Sequence, residues 1–315
     1  MRAPWPVFIA LFGCGRVAAT NHDAAVDTPT VQMDAPVDAT HAVQHLYVGN
    51  DKPAGGISQY TLPLTVAATA NFTFPLANAV DMISDAAGNL VAADNAGHVF
   101  LFAKPLSAAS TPTATFNNAG STANGQLVIT PDGALIAATQ GTSLNVFTPP
   151  FTNATVSTSK ITAAALSSGI GAALDSSANL YVGNTPTGGG SDLVVFAPPY
   201  TDSVNTPLVT GTLYRKITIS TTQLFVTSVA NAPGRVDVYT LPITQSSTPA
   251  FSIVNGVNTP ETVALDSEGH LYVGNLNDAT IAVYSPPFSA GSTPDLTLPI
   301  GNPATTAIFG ISIGP

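Results

Sequence analysis

Residues 266–275 read DSEGHLYVGN, and the chain writes versions of this stretch six times. DAAGNLVAAD (85–94), TPDGALIAAT (130–139), DSSANLYVGN (175–184) and the looser STTQLFVTS (220–228) follow the same order, while HLYVGN (45–50) keeps only the second half. The anchoring leucines are Leu46, Leu90, Leu135, Leu180, Leu224 and Leu271, spaced by 44, 45, 45, 44 and 47 residues. A fixed period of this size marks an array of small repeated units, each too small to bury its own apolar faces.

One unit, residues 260–299, shows what is repeated. ETVALD alternates apolar and polar residues and reads as a first strand, a. A tight turn follows, in which the Asp266 carboxylate can accept backbone bonds and Gly269 can take a positive φ. HLYVGN is strand b, LNDAT a loop, and IAVYS strand c, stopped by Pro286 and Pro287, which bring no N–H to a ladder. STPDLTLP carries strand d. Four such strands with short connections come to about 45 residues, matching the period. A second token recurs at the end of strand c, an aromatic residue, two others, a proline and an apolar residue: YTLPL (60–64), FAKPL (102–106), FTPPF (147–151), FAPPY (196–200), YTLPI (239–243) and YSPPF (284–288). Aromatic residues at one place in every unit are expected to pack between neighbouring units. The first unit lacks strand a, and the chain ends in TAIFGISIGP (306–315), patterned as strand a with nothing after it. Pairing this tail with residues 46–49 would close a ring and leave no sheet edge at the join. The expectation is an all-β, six-bladed β-propeller over residues 43–315, with four-stranded antiparallel blades, blade 1 being completed by the C-terminal strand.

Composition excludes several partners. The 315 residues carry a formal charge of −10, with eight Lys and Arg in all. Nucleic acid needs clustered basic residues to release counterions, so it is set aside, and a monomer is expected. The one cysteine, Cys14, allows no intrachain disulfide. Residues 1–13 hold Arg2 and a short apolar run, too short to span a bilayer and patterned as a secretory signal. LFGC (11–14) resembles the lipobox of bacterial lipoproteins. That resemblance implies lipidation of Cys14 and an anchor in the cell envelope, at the outer membrane or cell surface more than the inner membrane. Residues 14–42 are rich in Ala, Asp, Thr and Pro and lack aromatic residues, as expected of a tether that cannot bury enough apolar surface to order itself.

The run NTPETVALDSEGHLYVGNLNDATIAVYSPP (258–287) resembles NHL and YVTN-type propeller repeats. The resemblance implies the fold and leaves function open, because propellers host binding modules, scaffolds, lyases and lactonases. The b–c and d–a loops of such a ring share the face on which the central channel opens. The ends of strand b place Asn50, Asp94, Thr139, Asn184, Ser228 and Asn275 on that face. These small polar residues either start the b–c turns through local side-chain bonds or form a recognition ring. At the channel end of strand a, the repeat register selects Val80, Gly125, Ile170, Arg215, Glu261 and Phe309. Arg215 and Glu261 alone are charged and fall on adjacent blades, where an ion pair is expected. The position resembles that of a metal-binding glutamate in gluconolactonase-like propellers, but Val, Gly and Ile stand where further ligands would be needed, so no metal and no cofactor are expected.

GISIG (310–314) matches a nucleophile pattern that requires a strand-to-helix turn, and here it lies inside a strand. No catalytic set is therefore assigned. The sequence favours a non-enzymatic module that binds a protein, peptide or glycan through its channel face. A lactonase or lyase using Glu261, Arg215 and Asp94 is the alternative.

Overall fold

The computed structural model describes residues 43–118, 125–138, 141–185, 190–201, 203–205, 208–209, 213–230 and 232–315. The expected signal segment, Cys14, the tether and Thr139 lie outside these residues.

Six sheets are built in chain order, each a meander. Blade 1 contains β1 (His45–Asn50), β2 (Gly56–Thr61) and β3 (Phe72–Pro75). Blade 2 is β4 (Ala79–Ser84), β5 (Leu90–Asp94), β6 (His98–Phe102) and β7 (Ala114–Asn117). Blade 3 is β8 (Leu127–Ile129), β9 (Leu135–Ala138), β10 (Ser143–Phe147) and β11 (Ser159–Thr162). Blade 4 is β12 (Gly169–Leu174), β13 (Leu180–Asn184), β14 (Ser191–Phe196) and β15 (Ser203–Asn205), with the short β16 (Leu208–Val209) also on β14. Blade 5 is β17 (Tyr214–Ile219), β18 (Gln223–Ser228), β19 (Arg235–Thr240) and β20 (Phe251–Ile253). Blade 6 is β21 (Pro260–Leu265), β22 (Leu271–Asn275), β23 (Thr280–Tyr284) and β24 (Leu296–Pro299). The last strand, β25 (Ile308–Gly314), returns to blade 1 and pairs antiparallel with β1, Leu46 opposite Ile313 and Val48 opposite Ile311. The fold is the expected six-bladed propeller, closed by both ends of the described chain. The innermost strands β25, β4, β8, β12, β17 and β21 neighbour one another in that order around the ring.

The core is six separate clusters, one between each pair of neighbouring blades. Phe225, Val236 and Ile253 of blade 5 pack against Val263, Val273 and Tyr284 of blade 6, for example. The strand-c aromatics Tyr60, Phe102, Phe147, Phe196, Tyr239 and Tyr284 are all buried in these interfaces. Each of the six c–d turns that follows contains a cis X–Pro bond, at Pro63, Pro105, Pro150, Pro199, Pro242 and Pro287.

The a–b turns repeat as closely. Asp85, Asp175 and Asp266 each accept the backbone N–H groups two and four residues on, and each also accepts a bond from the side chain four residues on (Asn89, Asn179, His270). Gly88, Gly133 and Gly269 take positive φ in these turns. In blade 4 the same place is held by Ala178 at φ 61°.

Candidate functional site at the axial mouth

The inner strands do not keep strict alternation. In blades 1, 2, 4, 5 and 6 the ladder between strands a and b shifts register near its channel end. In blade 3, Ala138 bonds both Gly125 and Gln126, which is the same two-against-one arrangement. The residues inside these bulges include the six expected at the channel end, from Val80 to Phe309.

The residue after each of them, in the order of blades 2 to 6 and then 1, is Asp81, Gln126, Gly171, Lys216, Thr262 or Gly310. This second ring fills the axis. Lys216 Nζ donates to Asp81 Oδ1 at 2.9 Å, joining blades 5 and 2 across the ring, with both side chains buried. Asp81 Oδ2 accepts the Leu127 amide of blade 3 at 2.7 Å. Gln126 Oε1 accepts the amides of Ala172 (3.0 Å) and Ile217 (2.9 Å), and its Nε2 donates to Ile217 O at 2.7 Å. Thr262 Oγ1 accepts Ile311 N at 3.2 Å. The two glycines are required by close approach: a Cβ on Gly171 would lie 2.2 Å from Arg215 O, and one on Gly310 would lie 2.7 Å from Asp81 Cα. Burial pushes the Asp81 carboxyl up, and Lys216 and the Leu127 amide pull it part of the way back. The axis is therefore stoppered at this level by a hydrogen-bonded ion pair.

Above the stopper stand Arg215 and Glu261. Arg215 Nε lies 3.5 Å from Glu261 Oε2, a charge contact without hydrogen-bond geometry, and Nε is buried with no hydrogen-bond partner. The Glu261 side chain is 6% exposed and that of Arg215 27%. Burial raises the Glu261 carboxyl, against the pull of Arg215 and then Lys216, while Asp51 pushes it further up. On the same face a recess of about 330 Å³ lies between blades 6 and 1, lined by Asp51, Lys52, Asn277, Thr306 and Phe309 among others, with neither Arg215 nor Glu261 in its lining.

The strand-b residues serve mostly to tie loops. Asn184 accepts the Ser167 and Ser168 amides and donates to Ala165 O and Asp192. Asn275 accepts Asn258 N and donates to Gly256 O, and Asn50 accepts Ala307 N. In blades 1, 4 and 6 one asparagine thus clamps the incoming d–a loop. Asp94 instead holds its own b–c turn, accepting the amides of Ala96 and His98 and pairing with the His98 ring at 2.7 Å. Ser228 Oγ is buried without a hydrogen-bond partner. Among the described residues, no group of three or more His, Cys, Asp or Glu is placed to hold a metal ion.

Asp81, Gln126 and Lys216 were not among the residues expected from sequence. For Asp81 and Lys216 the signal was a charged residue inside an apolar strand, in AVDMI (79–83) and RKITI (215–219).

No family model matches the chain, and no curated protein matches it by sequence. Solved structures do. A protein named as a candidate 6-phosphogluconolactonase from Bacteroides fragilis is similar with a TM-score of 0.64 at 14% identity, over 88% of this chain and 99% of that one. The periplasmic gluconolactonase of Pseudomonas aeruginosa gives 0.58 at 12% identity, over 87% and 99%. A Bacteroides caccae protein of unknown function gives 0.63 at 12%, over 86% and 99%. At these identities the likeness establishes the shared fold alone.

Proposed function

We propose that this chain is an envelope-anchored propeller, held through Cys14, that hydrolyses a lactone at its axial mouth with Glu261 and Arg215 as the reacting pair. The observation that carries this reading is a buried carboxyl, raised by desolvation, beside a partly exposed guanidinium whose Nε is free of hydrogen bonds. A raised carboxyl is a stronger base once ionised. In the proposed step Glu261 takes a proton from water as the water oxygen bonds the lactone carbonyl carbon. Arg215 holds the oxyanion that develops. The ring C–O bond then breaks, Glu261 returns the proton to the departing ring oxygen, and a hydroxy acid results. The similar structures named as gluconolactonase and 6-phosphogluconolactonase support this class of substrate over others. The stopper beneath suits it as well, since a small ring needs a shallow, floored site.

The test is hydrolysis of glucono-1,5-lactone above the spontaneous rate, followed by pH-stat titration. Glu261→Gln keeps the shape and removes the base, and should lower kcat by about 10²-fold or more. A Gln variant that turns over as fast as the parent would sink the assignment.

Binding without turnover is the second reading, favoured by the mixed acidic, basic and apolar lining of the recess between blades 6 and 1. Calorimetry with gluconate separates the two. Binding by a parent that shows no hydrolysis supports the second reading.

A further inference from the structure

The six blade interfaces are not equally full. On the face carrying the a–b and c–d turns, three of the interfaces have a groove between the outer strands of one blade and the c–d turn of the next. Between blades 6 and 1 this groove measures about 300 Å³, and between blades 1 and 2 about 190 Å³. Between blades 3 and 4 it measures about 670 Å³.

Three positions set the interface between blades 3 and 4 apart from others. Where blades 1, 4 and 6 carry Tyr47, Tyr181 and Tyr272 in strand b, blade 3 has Ile136. Where blades 2, 4 and 6 carry Asn89, Asn179 and His270 beside the turn aspartate, blade 3 has Ala134. The third is the residue after the cis-proline. In blade 3, Phe151 reaches back to stack on Phe116 of blade 2 at 5.8 Å, and in blade 6 Phe288 meets Phe225 of blade 5 at 5.2 Å. In blade 4 the equivalent Tyr200 donates its hydroxyl to Ala178 O at 2.8 Å, on the turn of its own blade. Its ring forms a wall of the groove and leaves the space beside it open. Both residues of that bond take positive φ, 66° at Tyr200 and 61° at Ala178. Non-glycine residues held in this region concentrate at binding sites.

We propose that this groove is a binding site for a neutral saccharide, separate from the axial mouth and on the opposite face. The floor is apolar, made by Ile136, Val146 and Ile161, and suits the C–H face of a sugar ring against the Tyr200 wall. The rim is rich in hydroxyls: those of Ser159, Thr162 and Thr201 can donate and accept as sugar hydroxyls do, and that of Thr130 can accept. One charge of each sign, Asp132 and Lys160, completes it, so the rim is balanced and favours an uncharged ligand. The Thr130 hydroxyl donates to Asp132, which keeps that carboxylate ionised and available as an acceptor. The volume lies within the range that buries a small ligand.

The test is saturation-transfer NMR on the chain with maltose, cellobiose, lactose and N,N′-diacetylchitobiose. At least one should receive saturation on its ring protons. Ile136→Tyr restores the residue found in three other blades and fills the groove, and Tyr200→Ala removes the wall at an exposed turn. Each should weaken binding by about tenfold or more, while Glu261→Gln leaves it unchanged. No transfer to any of the four sugars, or unaltered affinity in both groove variants, overturns the proposal. So does uptake of the apolar dye anilinonaphthalene sulfonate at the groove with no sugar able to displace it.

Discussion

Between neighbouring blades one kind of contact recurs six times, whereas along the axis four blades contribute four different side chains and two contribute glycine. The perimeter is held by a periodic device, a buried strand-c aromatic followed by a cis-proline turn. The axis is held by Asp81, Gln126, Lys216 and Thr262 at equivalent positions, with glycine in the other two blades. The difference is physical. Each inter-blade interface joins the same two faces of a repeated unit and can reuse one kind of apolar solution, with energy proportional to the area removed from water. The axis is a single small space shared by six strands, and its bulged backbones present amides that must be met individually.

The sharpest contrast should come from Lys216→Met, which leaves Asp81 buried and uncompensated at the centre of the ring. It should cost about 3–5 kcal/mol, read as a lowered urea midpoint, and adding Asp81→Asn should recover part of that loss. Phe147→Ala at the perimeter should cost a similar ~3–5 kcal/mol, with no rescue available from a polar partner. A Lys216→Met chain as stable as its parent would show that the axis contributes nothing the perimeter lacks.

Gln126→Leu comes next. It orphans the Ala172 and Ile217 amides together and should cost roughly 1–3 kcal/mol for each group left unmet. Hydrogen exchange should speed at those two amides, and unchanged protection would mean that other acceptors replace the glutamine.

A smaller effect separates the two regions by pH. Glu261 and Asp81 both have carboxyls raised by burial, so the folded chain holds their protons to higher pH than the unfolded chain. Their contribution to stability is complete below the ordinary carboxylate value and is lost as pH rises through the raised one. Stability measured from about pH 4 to about pH 7 should therefore fall less in Glu261→Gln than in the parent. Parallel profiles would place no titrating strain at the mouth.

The smallest change expected is a gain at the perimeter. Ala178→Gly relieves a left-handed residue where other blades already use glycine, and should stabilise by about 0.5–1 kcal/mol, detectable as a Tm rise of a few degrees at most.

The fold was legible because its determinants are periodic. The leucine spacing counted the blades, the aromatic–proline token located each c–d turn, and the orphan tail located the join between β25 and β1. The mouth was half legible. Arg215 and Glu261 could be placed on adjacent strands by register, and they stand 3.5 Å apart. The stopper beneath was not, because strand alternation assigns the residue after each of these to the other face, and a bulge breaks that alternation. The Asn50, Asn184 and Asn275 side chains could be located but not their partners, which lie on d–a loops 16 or more residues away in sequence. The groove between blades 3 and 4 was least legible of all. It depends on which way the Tyr200 hydroxyl turns, and no spacing of residues records that.

The bulges give the ring a sense of rotation. Asp81 serves the strand of the next blade at Leu127, Gln126 serves the next at Ala172, and Thr262 serves the next at Ile311, always in the same direction. Gln126 also reaches one blade further, to Ile217, past Gly171, which has no side chain to offer. Exchanging two blades in the gene would preserve every leucine, aromatic and proline, yet strand these acceptors opposite neighbours unable to answer them. Each blade thus carries an address, and recombination among the repeats is restrained by a lock at the hub.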